Sequence, residues 1–261
     1  MELIGVQMDI AWEDVSSNLA RAADAVAAAA PPAGSLVVLP EMFSTGFSMN
    51  LAVALQGPDR PAEALLMQLA RRFNCTVLGG VATAGPDGLG RNEAVAFDPH
   101  GRALTRYTKL HPFSPAGEKA AYTAGERILS FAWRDFAVCP FICYDLRFPE
   151  VWRLAARRGA NLFVLIASWP AARQDHWRTL AIARAIENQA YLLAVNRCGS
   201  DPKGPLAGGS LIIDPRGGVL AEAGASAGVI RARPDLLDLL SYRQSFPTLA
   251  DIRPDALAAE E

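Results

Sequence analysis

A ten-residue pattern occurs twice in this chain. Val95-Ala-Phe-Asp-Pro-His-Gly-Arg-Ala-Leu104 returns as Leu211-Ile-Ile-Asp-Pro-Arg-Gly-Gly-Val-Leu220. In both copies an Asp-Pro-x-Gly turn joins two short apolar runs, which is the signature of a hairpin. A fainter echo links Leu36-Val-Val-Leu-Pro-Glu41 to Phe163-Val-Leu-Ile-Ala-Ser168. Those runs are apolar without interruption, as strands covered on both faces are. In each half a helix–strand–helix passage precedes the hairpin. Two α/β halves of this kind predict two sheets packed face to face with helices outside, a four-layer α-β-β-α sandwich. The competing reading is a chance likeness of two turns. On the first reading the chain is a single domain over 1–261, with a core of about 3–233 and a tail over 234–261.

The elements follow from hydrophobic period and punctuation. Residues 3–8 read as a first strand. A helix over about 18–30 follows, capped by Asp14 or Ser17, with Leu19, Ala22, Ala23 and Val26 as its apolar stripe. Pro31-Pro32 ends it, and a strand at 35–39 delivers Glu41 to its end. A second amphipathic helix over 61–73 and strands at 75–81, 92–97 and 103–108 complete the first half. Residues 109–126 break into a loop long enough to be functional. Strands at 128–133 and 136–142 form a hairpin, a helix covers 150–158, and a strand at 161–166 runs up to Ser168-Trp-Pro170. A helix over 174–189 and strands at 192–196, 209–213, 218–223 and 229–232 close the second half.

The formal net charge is −2, with no run of like charges. That excludes a basic footprint for nucleic acid and a polybasic surface for membranes. No stretch approaches the ~20 apolar residues of a membrane span, and the N-terminus lacks the marks of a signal peptide. Cys75, Cys139, Cys143 and Cys198 are scattered and form no C-x-x-C pair, which argues against a disulfide framework and for a reducing cytoplasm. His100, His111 and His176 are far apart and lack metal-ligand spacing, so neither a metal nor another cofactor is expected.

Chemistry concentrates in Phe136-Ala-Val-Cys-Pro-Phe-Ile-Cys-Tyr-Asp-Leu-Arg-Phe-Pro-Glu150. A buried strand ends at Cys143, a tight turn follows, and a helix leads away. Such a turn presents a thiol at the mouth of a sheet with backbone N–H groups aimed at it. An inert core cysteine is the plainer alternative. Glu41 and Lys109 also sit at or just past predicted strand ends, where the sites of α/β sheets are built. Separately they read as a loop acid and a surface lysine. Together with Cys143 they make a machine: a carboxylate that takes the thiol proton, an ammonium that steadies an oxyanion, and a sulfur nucleophile.

These residues carry a resemblance. Pro40-Glu41, Lys109-Leu-His and Cys143-Tyr-Asp-Leu-Arg-Phe-Pro-Glu150, in that order, look like the three signatures of the nitrilase (carbon–nitrogen hydrolase) superfamily. Trp177 to Asn188 and Val195-Asn-Arg197 extend the likeness over nearly the whole chain. It implies the nitrilase type of sandwich, a Glu41–Lys109–Cys143 triad, and an oxyanion met by Lys109 and the Tyr144 backbone N–H. It also implies a second glutamate in the loop after the lysine, for which Glu118 is the best match and Glu126 the competitor. Met42-Phe-Ser-Thr-Gly-Phe47, Ser168-Trp-Pro170 and Asp175-His-Trp-Arg178 resemble the omega-amidase branch, whose substrates are terminal amides of short 2-oxo acids. Ser168 departs from the Asn that relatives often have there.

Arg147 either pairs with a substrate carboxylate or forms an internal ion pair with Glu150 or Asp145. Phe43, Phe113, Tyr122 and Trp169 are candidates to wall a short apolar pocket. The alternatives in the same superfamily are an N-carbamoyl amidohydrolase and a nitrilase. A catalytically silent scaffold member is the alternative of another class, although none of the three core residues is missing. A thiol transferase using His111 or His176 is a further one. The partner expected besides the small amide is a second copy, docked through helices 150–158 and 174–189, whose apolar residues exceed one stripe.

Overall fold

The computed structural model describes residues 1–253. The last eight residues of the tail lie outside the described residues. Five strands open the chain: β1 (Leu3–Gln7), β2 (Leu36–Val38), β3 (Thr76–Ala84), β4 (Gly90–Phe97) and β5 (Ala103–Thr108). Four more follow, β6 (Phe131–Trp133), β7 (Phe136–Ile142), β8 (Leu162–Ala167) and β9 (Tyr191–Asn196). A hairpin, β10 (Cys198–Asp201) and β11 (Gly204–Ala207), precedes β12 (Leu211–Ile213), β13 (Val219–Glu222) and β14 (Gly228–Ala232).

The helices are α1 (Val15–Ala29), α2 (Leu51–Ala54), α3 (Pro61–Phe73), α4 (Glu118–Ala121), α5 (Pro149–Arg157), α6 (Gln174–Asn188) and α7 (Leu236–Ser245). The α1 helix starts earlier than its apolar stripe because Asp14 caps it, accepting from the Ser17 N–H at 3.1 Å.

Two six-stranded sheets result, in the orders β14-β1-β2-β3-β4-β5 and β13-β12-β9-β8-β7-β6. Their internal logic is the same. Three parallel strands (β1, β2, β3 or β7, β8, β9) continue into an antiparallel hairpin (β4–β5 or β12–β13), and an antiparallel edge strand (β14 or β6) flanks the first of them. The repeated turn is also alike in detail. Asp98 Oδ1 accepts from the His100 and Arg102 N–H groups, and Asp214 Oδ1 from those of Arg216 and Gly218. The hairpin β10–β11 belongs to one half alone, inserted between β9 and β12.

Alternation along each strand sorts the core into layers. Leu3, Leu36, Val38 and Leu78 pack toward the other sheet, in one cluster with Leu193, Val195 and Ile212. Ile4, Val6, Val37 and Val77 face α1 and α3, meeting Ala22, Val26, Leu66 and Leu69. On the outer face of the second sheet Trp152 of α5 is fully buried, its ring centroid 4.2 Å from that of Phe141 and 5.1 Å from that of Phe163. Truncating such a side chain to alanine costs about 3–5 kcal/mol. With both faces of both sheets covered, the strands need no polar side, which is why they appear as unbroken apolar runs. Among the described residues no helix is long and apolar enough to cross a membrane.

Candidate active site

Glu41 leaves the end of β2 while the chain is still paired with β3. The Leu39 N–H donates to the Leu78 carbonyl, and the Gly80 N–H to the Pro40 carbonyl. The backbone then turns through the left-handed region at Met42 (φ 45°). Gly80 lies against that turn: a Cβ there would stand 2.5 Å from Glu41 Cα and 2.6 Å from the Met42 nitrogen. No other residue fits without moving Glu41. The Glu41 carboxylate is fully buried. Its Oε1 accepts from Lys109 Nζ at 2.9 Å and Asn92 Nδ2 at 2.8 Å, and its Oε2 from the Ser168 N–H at 2.8 Å.

Lys109 follows β5 and stays tied to β4, its N–H donating to the Asn92 carbonyl. Its side chain is 1% exposed and reaches a second carboxylate, Glu118 Oε2, at 2.9 Å. Burial alone pushes the ammonium pKa down. The charges of Glu41 and then Glu118 overcome that, and the group ends above the ordinary lysine range. Glu118 opens α4 inside the expected loop. It also accepts from Asn92 Nδ2 and from the Phe113 N–H, which fixes the loop over the site. Glu126, the competing candidate, is exposed.

Cys143 ends β7 in the left-handed region (φ 47°), a conformation that costs a non-glycine residue about 1–2 kcal/mol. The turn Cys143–Arg147 is held from several sides. The buried Asp145 carboxylate accepts from the Ile142 N–H, the Tyr107 hydroxyl, the His111 N–H and His111 Nδ1, the last at 2.8 Å. Trp152 Nε1 donates to the Asp145 carbonyl, and the Arg184 guanidinium of α6 to that of Leu146. Asp145 thereby ties the Cys143 turn to the segment carrying Lys109. The thiol pKa is well above the ordinary cysteine value, first through burial and then through the Glu41 charge, with Lys109 opposing. At rest the sulfur keeps its proton and needs a base.

Cys143 lines a cavity of about 530 Å³. Phe47, Phe113, Tyr144 and Trp169 wall it, and Arg147, Arg173, Lys203 and Asp201 bring charge to it. Trp169 is locked by Asn196, which accepts from its N–H at 2.7 Å and donates to its carbonyl at 3.2 Å. Arg147 makes neither expected internal ion pair. Its Nη2 meets His176 Nδ1 at 3.2 Å, and its guanidinium lies 4.8 Å from the Trp169 ring centroid.

Two expected wall residues lie elsewhere. Phe43 is fully buried among Leu66, Val81 and their neighbours, because the left-handed turn at Met42 sends it back onto β3, its N–H bonded to the Gly80 carbonyl. The wall position belongs to Phe47, four residues on. Tyr122 backs the wall in a cluster with Met42 and Phe47, its hydroxyl donating to the Ser48 carbonyl. Asn92, which bridges Glu41 and Glu118, had no sequence signal beyond being a polar residue at the start of a buried strand. Among the described residues no cluster of His, Cys, Asp and Glu is suited to a metal ion.

Comparison with known proteins points the same way. The carbon-nitrogen hydrolase family model matches residues 5–244. A 2-oxoglutaramate amidase of Bacillus subtilis (strain 168) is 36% identical over 251 residues, 96% of either chain. An omega-amidase YafV of Yersinia enterocolitica is 38% identical over 253 residues, again 96% of each. Among solved structures, XC1258 of Xanthomonas campestris superposes with a TM-score of 0.90 at 31% identity, covering 97% of both chains; it is described as a CN-hydrolase superfamily protein with an arsenic adduct in the active site.

Proposed function

The chain belongs to the carbon–nitrogen hydrolase family, and from that premise we propose that it releases ammonia from the terminal amide of a short 2-oxo acid, such as 2-oxoglutaramate. It is a hydrolase of carbon–nitrogen bonds other than peptide bonds. The observation that carries the reading is a buried lysine held by two carboxylates beside a pocket-lining thiol.

The steps follow from the positions of these groups. Glu41 takes the Cys143 proton as sulfur attacks the amide carbon, and the carbonyl π electrons move to oxygen. The resulting oxyanion is met by the Lys109 ammonium and the Tyr144 backbone N–H. Glu41 returns the proton to nitrogen, the C–N bond breaks, and ammonia leaves a thioester on Cys143. Water then gives a proton to Glu41 and attacks the thioester; as the C–S bond breaks, Glu41 passes that proton to sulfur, and thiol and carboxylate are both restored. Glu118 and Asn92 hold Glu41 and Lys109 in register throughout. Dryness matters here, because charges away from water act on developing charge more strongly than in bulk solvent.

Two further readings belong with this one. The four free cysteines suit a reducing compartment, so we place the activity in the cytoplasm. A second copy is the proposed partner, docked on α5 and α6. The deciding experiment measures ammonia release across 2-oxo acid ω-amides, N-carbamoyl compounds and nitriles. Turnover highest on the ω-amides is expected; a preference for carbamoyl compounds or nitriles defeats the substrate assignment.

A further inference from the structure

Two ammonium groups share the Phe47 ring. Lys109 Nζ stands 4.9 Å from the ring centroid, and Lys203 Nζ stands 4.9 Å from the same point. Their separation is therefore at most 9.8 Å, twice 4.9 Å. Lys203 lies in the turn of the inserted hairpin β10–β11 and lines the cavity. Its own N–H donates to Asp201 Oδ1 at 2.7 Å, which sets the turn. The hairpin is anchored at its base: the Cys198 N–H donates to the Met8 carbonyl, and the buried Arg197 donates to the carbonyls of Ile10 and Ser200. Leu206 bridges to Pro170 beside the Trp169 wall. The Lys203 ammonium forms no ion pair with any described residue, and among the described residues Asp201 is the one acid lining the cavity.

A substrate amide whose oxygen sits at Lys109 extends from there along the Phe47 wall. In a five-carbon chain the amide and carboxylate oxygens stand about 7 Å apart when extended, and a hydrogen bond of about 2.8 Å at each end lengthens the reach. That reach exceeds the greatest separation of the two ammoniums, so a bent five-carbon chain can bridge them. Arg147 is already engaged by His176, and Arg173 lies over the separate Phe113 ring at 5.6 Å.

We propose that Lys203 receives the carboxylate at the end of the substrate remote from the scissile amide. The inserted hairpin then selects acidic amides over neutral ones. The proposal rests on the ω-amide reading above and names the residue behind it. Filling the cavity strips water from the ion pair, and a charge-assisted hydrogen bond of that kind changes affinity by about ten- to a hundredfold.

The experiment compares kcat/KM for a five-carbon 2-oxo acid ω-amide with that for pentanamide, a neutral amide of equal length. In Lys203→Met the ratio of acidic to neutral should fall at least about tenfold, through KM more than kcat, and Lys203→Arg should recover most of it. An unchanged ratio overturns the proposal, including one where both substrates lose rate equally. So does a ratio that collapses in Arg173→Met but survives in Lys203→Met. A binding measurement separates this from the parent reading. On the Cys143→Ala protein, calorimetry with glutarate should show at least about tenfold weaker affinity when Lys203→Met is added. Equal affinity refutes the role of Lys203 whether or not the wild type cleaves ω-amides. Absence of ammonia from ω-amides with wild-type protein defeats the parent reading alone.

Discussion

The Ser168 backbone N–H donates to Glu41 Oε2 at 2.8 Å, and the two residues hold matching places in the two halves of the chain. Glu41 follows the second parallel strand of one sheet, and Ser168 follows the second parallel strand of the other. The proposed base is therefore oriented by the opposite half, while Lys109 and Asn92 orient it from its own. Cys143 leaves the strand next to Ser168, so the carboxylate and the thiol are brought together by the facing of the two sheets.

Replacing any member of the proposed triad should remove turnover by comparable factors. Cys143→Ala, Glu41→Gln and Lys109→Ala are each expected to lower kcat by about a thousandfold or more, with little further loss in the double variant Cys143→Ala/Glu41→Gln. Steady-state ammonia release checks this. Near-normal turnover in Glu41→Gln would send the search for a base back to His111.

The thiol titration has a sign that geometry fixes. The Glu41 charge raises the Cys143 pKa and the Lys109 charge lowers it. Glu41→Gln should therefore let thiolate appear at lower pH than in wild type, even as amide turnover is lost. Lys109→Ala should move the titration the other way. Thiolate absorbance near 240 nm against pH, with Cys75, Cys139 and Cys198 changed to alanine, gives the midpoints. A Glu41→Gln midpoint at or above that of wild type contradicts the placement of the carboxylate beside the sulfur.

Gly80→Ala is expected to reduce activity without touching a reacting group. The added methyl meets the Glu41 backbone, so that backbone must shift. Overpacking of this kind costs about 1–3 kcal/mol of stability, and a misplaced base costs rate as well. Thermal melting and kcat should both fall, whereas Gly57→Ala, whose Cβ would meet nothing within 4 Å, serves as the control.

Self-association should be sensitive to the outer face of α5 and α6. Much of the apolar excess expected there is already used inside one copy: Trp152, Ala155, Ala181 and Ala185 are buried. What remains exposed is Leu154 (38% exposed) and Ile186 (46% exposed), with Val151, Leu180 and Ala183 half-buried. Ala183→Glu should shift light scattering from the proposed dimer toward a monomer and lower ammonia release with it, since α6 also grips the Cys143–Arg147 turn through Arg184. A wild-type monomer at micromolar concentration with full activity would remove the proposed partner.

The elements most legible in the sequence were those governed by one dominant pattern. Pro61–Phe73 has a proline start and a clean apolar stripe, and Phe136–Ile142 is an apolar run closed by a polar turn. Glu41, Lys109 and Cys143 could be placed together because strand ends collect at one edge of a sheet. Phe43 and Phe47 could not be told apart, since their directions depend on one left-handed residue, Met42. The hairpin β10–β11 was invisible for a different reason. Gly199, Gly204, Pro202 and Pro205 read as loop, and its strands are held by tethering to Met8 and Ile10 rather than by burial of an apolar face. Helix α7, with only Leu239 buried, likewise lacks a stripe to announce it.

The bond from Ser168 to Glu41 has a consequence for how this molecule fails. Each half keeps its own ladder of backbone hydrogen bonds, whereas the carboxylate depends on a donor from across the interior. A small slip between the sheets would leave circular dichroism unchanged while the carboxylate lost a partner and the sulfur its neighbour. Catalysis is thus a finer gauge of inter-sheet registry than any probe of secondary structure. Under mild denaturant, inactivation should run ahead of unfolding.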